Sequence, residues 1–105
     1  MHFIKAEATK LVDDRGYPEI ICCEFVDVDG CTHCFIEKWP VVSAEKLEGH
    51  FPQACAIGCT VMQNKPESYV VSTMKPWGIE SVEGTSEFEI SKELLFETAE
   101  SVWMD

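Results

Sequence analysis

Apolar residues in this chain recur at short intervals and alternate with polar ones, the period-two pattern of half-buried strands rather than the 3.6-residue period of helices. Residues 3–12 interleave apolar and charged side chains, which suits a half-buried strand. Asp13-Asp14-Arg15-Gly16-Tyr17-Pro18 is rich in turn formers and reads as a loop. Residues 19–28 are β-branched and aromatic, the composition of a strand. Asp29-Gly30 readily takes the positive φ angles of a tight hairpin, so residues 31–38 are expected to fold back antiparallel. Ile21, Cys23 and Phe25 would then share one buried face with Cys34 and Ile36. Trp39-Pro40 interrupts the second strand, and Trp39 is assigned to the core.

Beyond this hairpin the pattern continues in short segments. Residues 43–48 predict a short helical turn capped by Ser43, and Gly49-His50-Phe51-Pro52 a loop. Residues 55–62 and 68–74 predict two strands, separated by the turn Asn64-Lys65-Pro66-Glu67. Pro76-Trp77-Gly78 opens a loop. Residues 87–90 alternate acid with apolar, which points Phe88 and Ile90 inward. A helical turn is expected in residues 92–99, and the tail after about residue 97 is expected to fray. About six short strands with regular turn signals predict a mainly β protein, a small antiparallel barrel or sandwich with one or two short helical turns. With no repeat or linker, residues 1–105 read as a single domain.

Composition agrees with that size. A chain of 105 residues, 46% hydrophobic and 26% charged, has ordinary globular proportions. It can bury roughly 65% of its unfolded surface, enough for one core. Charge changes the picture more. Nineteen acidic residues against eight basic ones give a formal charge of −11. Such a surface repels phosphate, which argues against nucleic acid and anionic membrane as partners and favours a basic protein. The N-terminus lacks a basic stretch followed by an apolar run, so no signal peptide is expected. Cytoplasmic residence follows, with all six cysteines as thiols. Oxidised, six cysteines would allow 15 connectivities.

The cysteines are the most tempting chemistry. Cys31-Thr32-His33-Cys34, with Cys55 and Cys59, supplies the four thiols of a structural zinc site. Residues three apart on a strand point to opposite faces, so Cys31 and Cys34 should diverge. Cys55 and Cys59 should stand about 13 Å apart along theirs. The cysteines are therefore assigned as buried structural thiols, with no cofactor, and zinc or redox chemistry is the alternative. A redox Cys-x-x-Cys needs a helix N-terminus at its first cysteine, and the hairpin supplies none. Among His2, His33 and His50, only His50 sits in a convincing loop, where a dyad with Cys55 is conceivable. The chain has no Gly-rich phosphate loop, no Gly-x-Ser-x-Gly elbow and no His-Glu-x-x-His helix. An enzyme is not expected.

The C-terminal third carries Glu80, Glu83, Glu87, Glu89, Glu93, Glu97, Glu100 and Asp105 against Lys92 alone. Glu87 and Glu89 should share an outer face. Trp77 has two readings, an apolar anchor for a partner or a plug at one end of the barrel.

Two stretches carry a resemblance. Asp27-Val28-Asp29-Gly30 is followed by Phe35, Lys38, Pro40 and Val41, and Lys75-Pro76-Trp77-Gly78-Ile79-Glu80-Ser81 by Glu83-Gly84 and Phe88. Together they resemble small uncharacterised bacterial proteins of similar length with β-barrel folds. The resemblance implies a bacterial origin and a compact β-fold, and it carries over no activity. Cys31 and Cys34 are not part of its pattern. The function expected from the residues is a non-enzymatic acidic binding module. Its most concrete form is an immunity protein that neutralises a basic toxin such as a nuclease through Trp77, Glu80, Glu83, Glu87 and Glu89. A structural subunit that forms homo-oligomers through a strand edge is a further alternative.

Overall fold

A computed structural model describes residues 2–13, 20–38, 52–75 and 77–97. Its strands are β1 (His2–Asp13), β2 (Ile20–Val26), β3 (Thr32–Lys38), β4 (Gln53–Asn64), β5 (Ser68–Ser72), β6 (Glu87–Ser91) and β7 (Leu95–Glu97). They form one antiparallel sheet in the order β3-β2-β1-β4-β5-β6, with β7 paired to β1. A single 3₁₀ turn, Lys92–Leu94, separates β6 from β7 among the described residues.

Two long strands organise the sheet. β1 gives one edge to β4, with His2 opposite Cys59 and Ala8 opposite Gln53. Its other edge is shared: β7 takes His2, Phe3 and Ile4, while β2 begins at Glu7. Between β7 and β2 lies a notch of about 360 Å³ lined by Lys5, Glu7, Glu24 and Leu94 among others. β4 pairs with β1 up to Cys59 and with β5 from Thr60, and its register shifts between Val61 and Gln63. A register shift of this kind adds local bend and twist, which curls the sheet into a half-barrel.

Where the curl brings the ends together, two backbone hydrogen bonds form a seam. The Val28 N–H, at the tip of the β2–β3 hairpin, donates to the Glu89 carbonyl of β6 (3.0 Å). The Val82 N–H, in the loop between β5 and β6, donates to the Cys34 carbonyl of β3 (2.8 Å). The loop is tied down by Thr73, which is fully buried. Its hydroxyl donates to the Ile79 carbonyl (2.7 Å) and its N–H to the Ser86 carbonyl (2.8 Å). A buried hydroxyl without such partners would be costly, so these bonds hold the loop against the barrel.

Alternation places Ile4, Ala6 and Ala8, Ile21, Cys23 and Phe25, Phe35, Ile57, Cys59, Val71, Phe88 and Ile90 on the concave face, where they form the core. Phe3 points the other way. It shares its face with Gly58 and Phe96, its partners in register. The Phe96 ring lies 5.4 Å from that of Phe3, and the Trp77 ring 5.8 Å from it. A Cβ on Gly58 would stand 3.1 Å from the Trp77 ring, so the indole rests directly on backbone.

The mainly β, antiparallel barrel-like fold matches the sequence reading, and the inward placement of Phe88 and Ile90 holds. Two expectations are corrected. The helical turn expected in residues 92–99 is only a three-residue 3₁₀ turn, followed by a seventh strand. Leu95 and Phe96 pair along an available edge of β1, and tertiary pairing overrides local propensity. The second correction concerns β3. A two-residue turn at Asp29-Gly30 would set Phe25 opposite Cys34. Instead Val26 pairs with Thr32, Phe25 with His33 and Cys23 with Phe35. The loop holds residues 27–31, and a one-residue slip reverses every side chain. Phe35 is fully buried, Ile36 is 39% exposed and Cys34 faces outward. The turn expected in residues 43–48 lies outside the described residues.

Candidate functional site

Asp27 explains the longer hairpin loop. Its Oδ1 accepts from the N–H groups of Asp29 (2.9 Å) and Cys31 (3.0 Å), an Asx turn built on the aspartate's own backbone. Gly30 takes φ +82° in the same loop, which glycine adopts at no steric cost. The other carboxylate oxygen, Oδ2, accepts from His33 Nε2 (2.7 Å), and both side chains are only 14% exposed. The His33 ring stands 4.6 Å from Phe88 and 5.5 Å from Phe25. Its Nδ1 is buried with no hydrogen-bond partner. Burial opposes ionisation of Asp27, but the bonds from His33, Cys31 and Asp29 outweigh it and hold the carboxyl below the usual aspartate range.

The seam gathers acids from both sides. Asp27 and Asp29 belong to the hairpin tip. Glu83 sits in a tight turn closed by the Gly84 N–H to the Ser81 carbonyl (2.9 Å) and the Ser81 N–H to the Thr85 carbonyl (2.8 Å). Glu87 and Glu89 project from the outer face of β6, as alternation predicts. Glu80, Glu83 and Glu87 are exposed and make no ion pair among the described residues. Glu89 is different. Ser68 Oγ donates to it (2.6 Å) and Lys65 Nζ lies 3.2 Å away, and together they hold its carboxyl below the usual glutamate range. Val28 (44% exposed) and Val82 (60%) supply apolar surface at the two seam contacts. Trp77 packs on Phe3 and Gly58 and touches the core.

The four thiols considered for zinc do not come together. Cys31 is exposed at the hairpin tip, and Cys59 is buried in the core, where burial pushes its thiol up to about 12. Cys55 is joined to Cys23 in a disulfide, which corrects the expectation of six thiols. Cys23 stands opposite Ala8 and Cys55 opposite Ala6, so the bridge crosses β1 where the side chains are smallest. Cys55 is therefore no nucleophile, and His50 lies outside the described residues.

Cys34 has other neighbours. On the outer face of the hairpin, ligand atoms of Cys22, Glu24 and Cys34 lie within 4.8 Å of one another. The Cys22 thiol donates to Glu24 Oε2 (3.8 Å). Burial, a hydrogen bond with Cys22 and the charge of Glu24 push the Cys34 thiol up to about 12. Cys22 and Glu24 were not singled out from sequence. The available signal was Cys22-x-Glu24, an i, i+2 pair on one strand face, but only the five-residue loop brings Cys34 opposite Glu24.

No helix among the described residues is long and apolar enough to cross a membrane. No family model matches the chain, and neither a curated protein nor a solved structure matches it, so its reading rests on its own geometry.

Proposed function

We propose that this protein is a non-enzymatic binding module that engages a basic protein, most concretely an immunity protein covering the active site of a basic bacterial toxin such as a nuclease. The observation that carries this reading is the seam. Asp29 at the hairpin tip and Glu80, Glu83, Glu87 and Glu89 of the β5–β6 loop and β6 lie on the two segments that the seam joins, where Val28 and Val82 are exposed. Exposed apolar residues on segments that also carry carboxylates suit a partner that binds polyanions, because the carboxylates occupy the places of phosphates while the valines exclude water. The charge of −11 adds long-range attraction and speeds encounter at low salt. Trp77, resting on Phe3 and Gly58, contributes by holding the loop that carries Glu80 and Glu83.

Tagged protein used to capture partners from a lysate of its host, at low and then moderate salt, tests the reading. The expected result is one basic protein whose activity falls on binding and whose capture is lost with Glu80→Lys, Glu83→Lys and Glu87→Lys combined. Glu89 is left intact in that variant because it bonds Ser68 and Lys65. Capture unchanged by the three reversals rejects the reading. The Cys22, Glu24 and Cys34 cluster favours a second one, a thiol-based metal module, argued next.

A further inference from the structure

We propose that Cys22, Glu24 and Cys34 form a binding site for a thiophilic divalent cation, zinc, on the outer face of the β2–β3 hairpin. The three residues reach one point for a topological reason. Cys22 and Glu24 are two apart on β2 and so share a face. The register sets Cys34 directly across from Glu24, one pleat from Cys22. All three ligand atoms fall within 4.8 Å of one another. A tetrahedral zinc with Zn–S about 2.3 Å and Zn–O about 2.1 Å would separate a sulfur from an oxygen by about 3.6 Å. The Cys22 sulfur already stands 3.8 Å from Glu24 Oε2.

The donor set selects the metal. Two sulfurs and one carboxylate oxygen favour zinc over magnesium or calcium, which require cages of oxygen. Binding forms two Zn–S bonds and one Zn–O bond and releases the two thiol protons to solvent. Across β1 and β2, Glu7 stands directly opposite Glu24, a like-charge pairing that a bound cation would relieve further beside Lys5 of the same notch. Lys10, opposite Cys22, offsets the net negative charge left by two thiolates and a carboxylate around one zinc. Glu7 and Glu24 both line the 360 Å³ notch between β2 and β7. Of the three ligands Glu24 is the one that borders this notch, and water would complete the tetrahedron. The remaining free thiols take no part, since Cys31 is at the hairpin tip and Cys59 in the core.

Zinc titration of the oxidised protein, with the Cys23–Cys55 bridge intact, against a chromophoric chelator tests this site. One zinc per chain is expected, and cobalt in its place should give the near-ultraviolet charge-transfer band of thiolate ligation. Cys34→Ser should weaken zinc by at least about 100-fold and Glu24→Gln by at least about 10-fold. Cys31→Ser should leave the affinity unchanged. Both key positions are only half-buried, so these variants keep the fold, as circular dichroism would verify. Absence of 1:1 zinc, a cobalt complex without the thiolate band, or affinity insensitive to Cys34→Ser overturns the proposal. So does a Cys22–Cys34 disulfide as the stable form under air.

Discussion

The two faces of the β2–β3 hairpin start from similar residues and end with opposite chemistry. Inside, Cys23 is bridged to Cys55, and Phe35 stands fully buried in the core. Outside, one residue along each strand, Cys22 and Cys34 remain thiols beside Glu24. Adjacent cysteines have thus become a structural crosslink and a candidate ligand. The difference lies in which face each side chain occupies: alternation along β2 separates Cys22 from Cys23, and the loop closed by Asp27 turns Cys34 outward to join Cys22. The inner face is a packing problem; the outer is an electrostatic one.

The largest break in this comparison comes from the core. Phe35→Ala should cost about 3–5 kcal/mol in chemical denaturation, while Ile36→Ala should cost under about 1 kcal/mol. Equal losses would mean that the hairpin is paired in the other register. Next comes the crosslink, whose cysteines are 32 residues apart in sequence. Cys55→Ser should lower stability by about 2–4 kcal/mol, whereas Cys31→Ser at the exposed tip should change it by no more than about 0.5 kcal/mol. No difference between these two variants would place the bridge outside the stable fold.

Asp27 should come third. Asp27→Asn removes a charged acceptor serving two backbone donors and His33, a loss of about 1–3 kcal/mol at neutral pH. Because the folded carboxyl titrates below its ordinary value of 3.8, its contribution is complete above that pH and disappears as pH falls through the lower folded value. The variant should therefore flatten the acid limb of the stability curve below about pH 4. An unchanged acid limb would show that the Asp27 bonds add nothing to stability. The smallest effect is kinetic. A thiol reagent added to the native protein should label Cys31 at once and Cys34 slowly, and Cys22 and Cys59 only on unfolding. Fast labelling of Cys22 would place it at the surface.

Much of the fold was legible in the chain. Residues of β1, β2, β4, β5 and β6 carry alternation strong enough to mark strands, and Phe88 and Ile90 were correctly turned inward. β7 was not legible, because Leu95 and Phe96 become a strand only by finding a vacant edge of β1. The candidate sites were legible in part. Glu87 and Glu89 follow from alternation on one strand. The approach of Asp27 and Asp29 to β6 needs the half-barrel to curl, and that depends on contacts between residues about 60 positions apart, such as Val28 with Glu89. Trp77 was placed in a loop between proline and glycine, yet its seat on Gly58 was invisible because the glycine's role is to be small beneath an indole.

The sequence alone determined the β class, the approximate positions of every strand but β7, and the acidic character, because these depend on local periodicity and side-chain charge. Tertiary structure decided the rest. It fixed the hairpin register through four hydrogen bonds in one loop, two of them accepted by the Asp27 carboxylate. It chose which cysteines meet, since only the path of β1 past Ala6 and Ala8 brings Cys23 to Cys55. It also set Cys22, Glu24 and Cys34 together. Side-chain period in a strand is two, so a single residue added to a loop exchanges inside for outside, and composition holds no record of that choice.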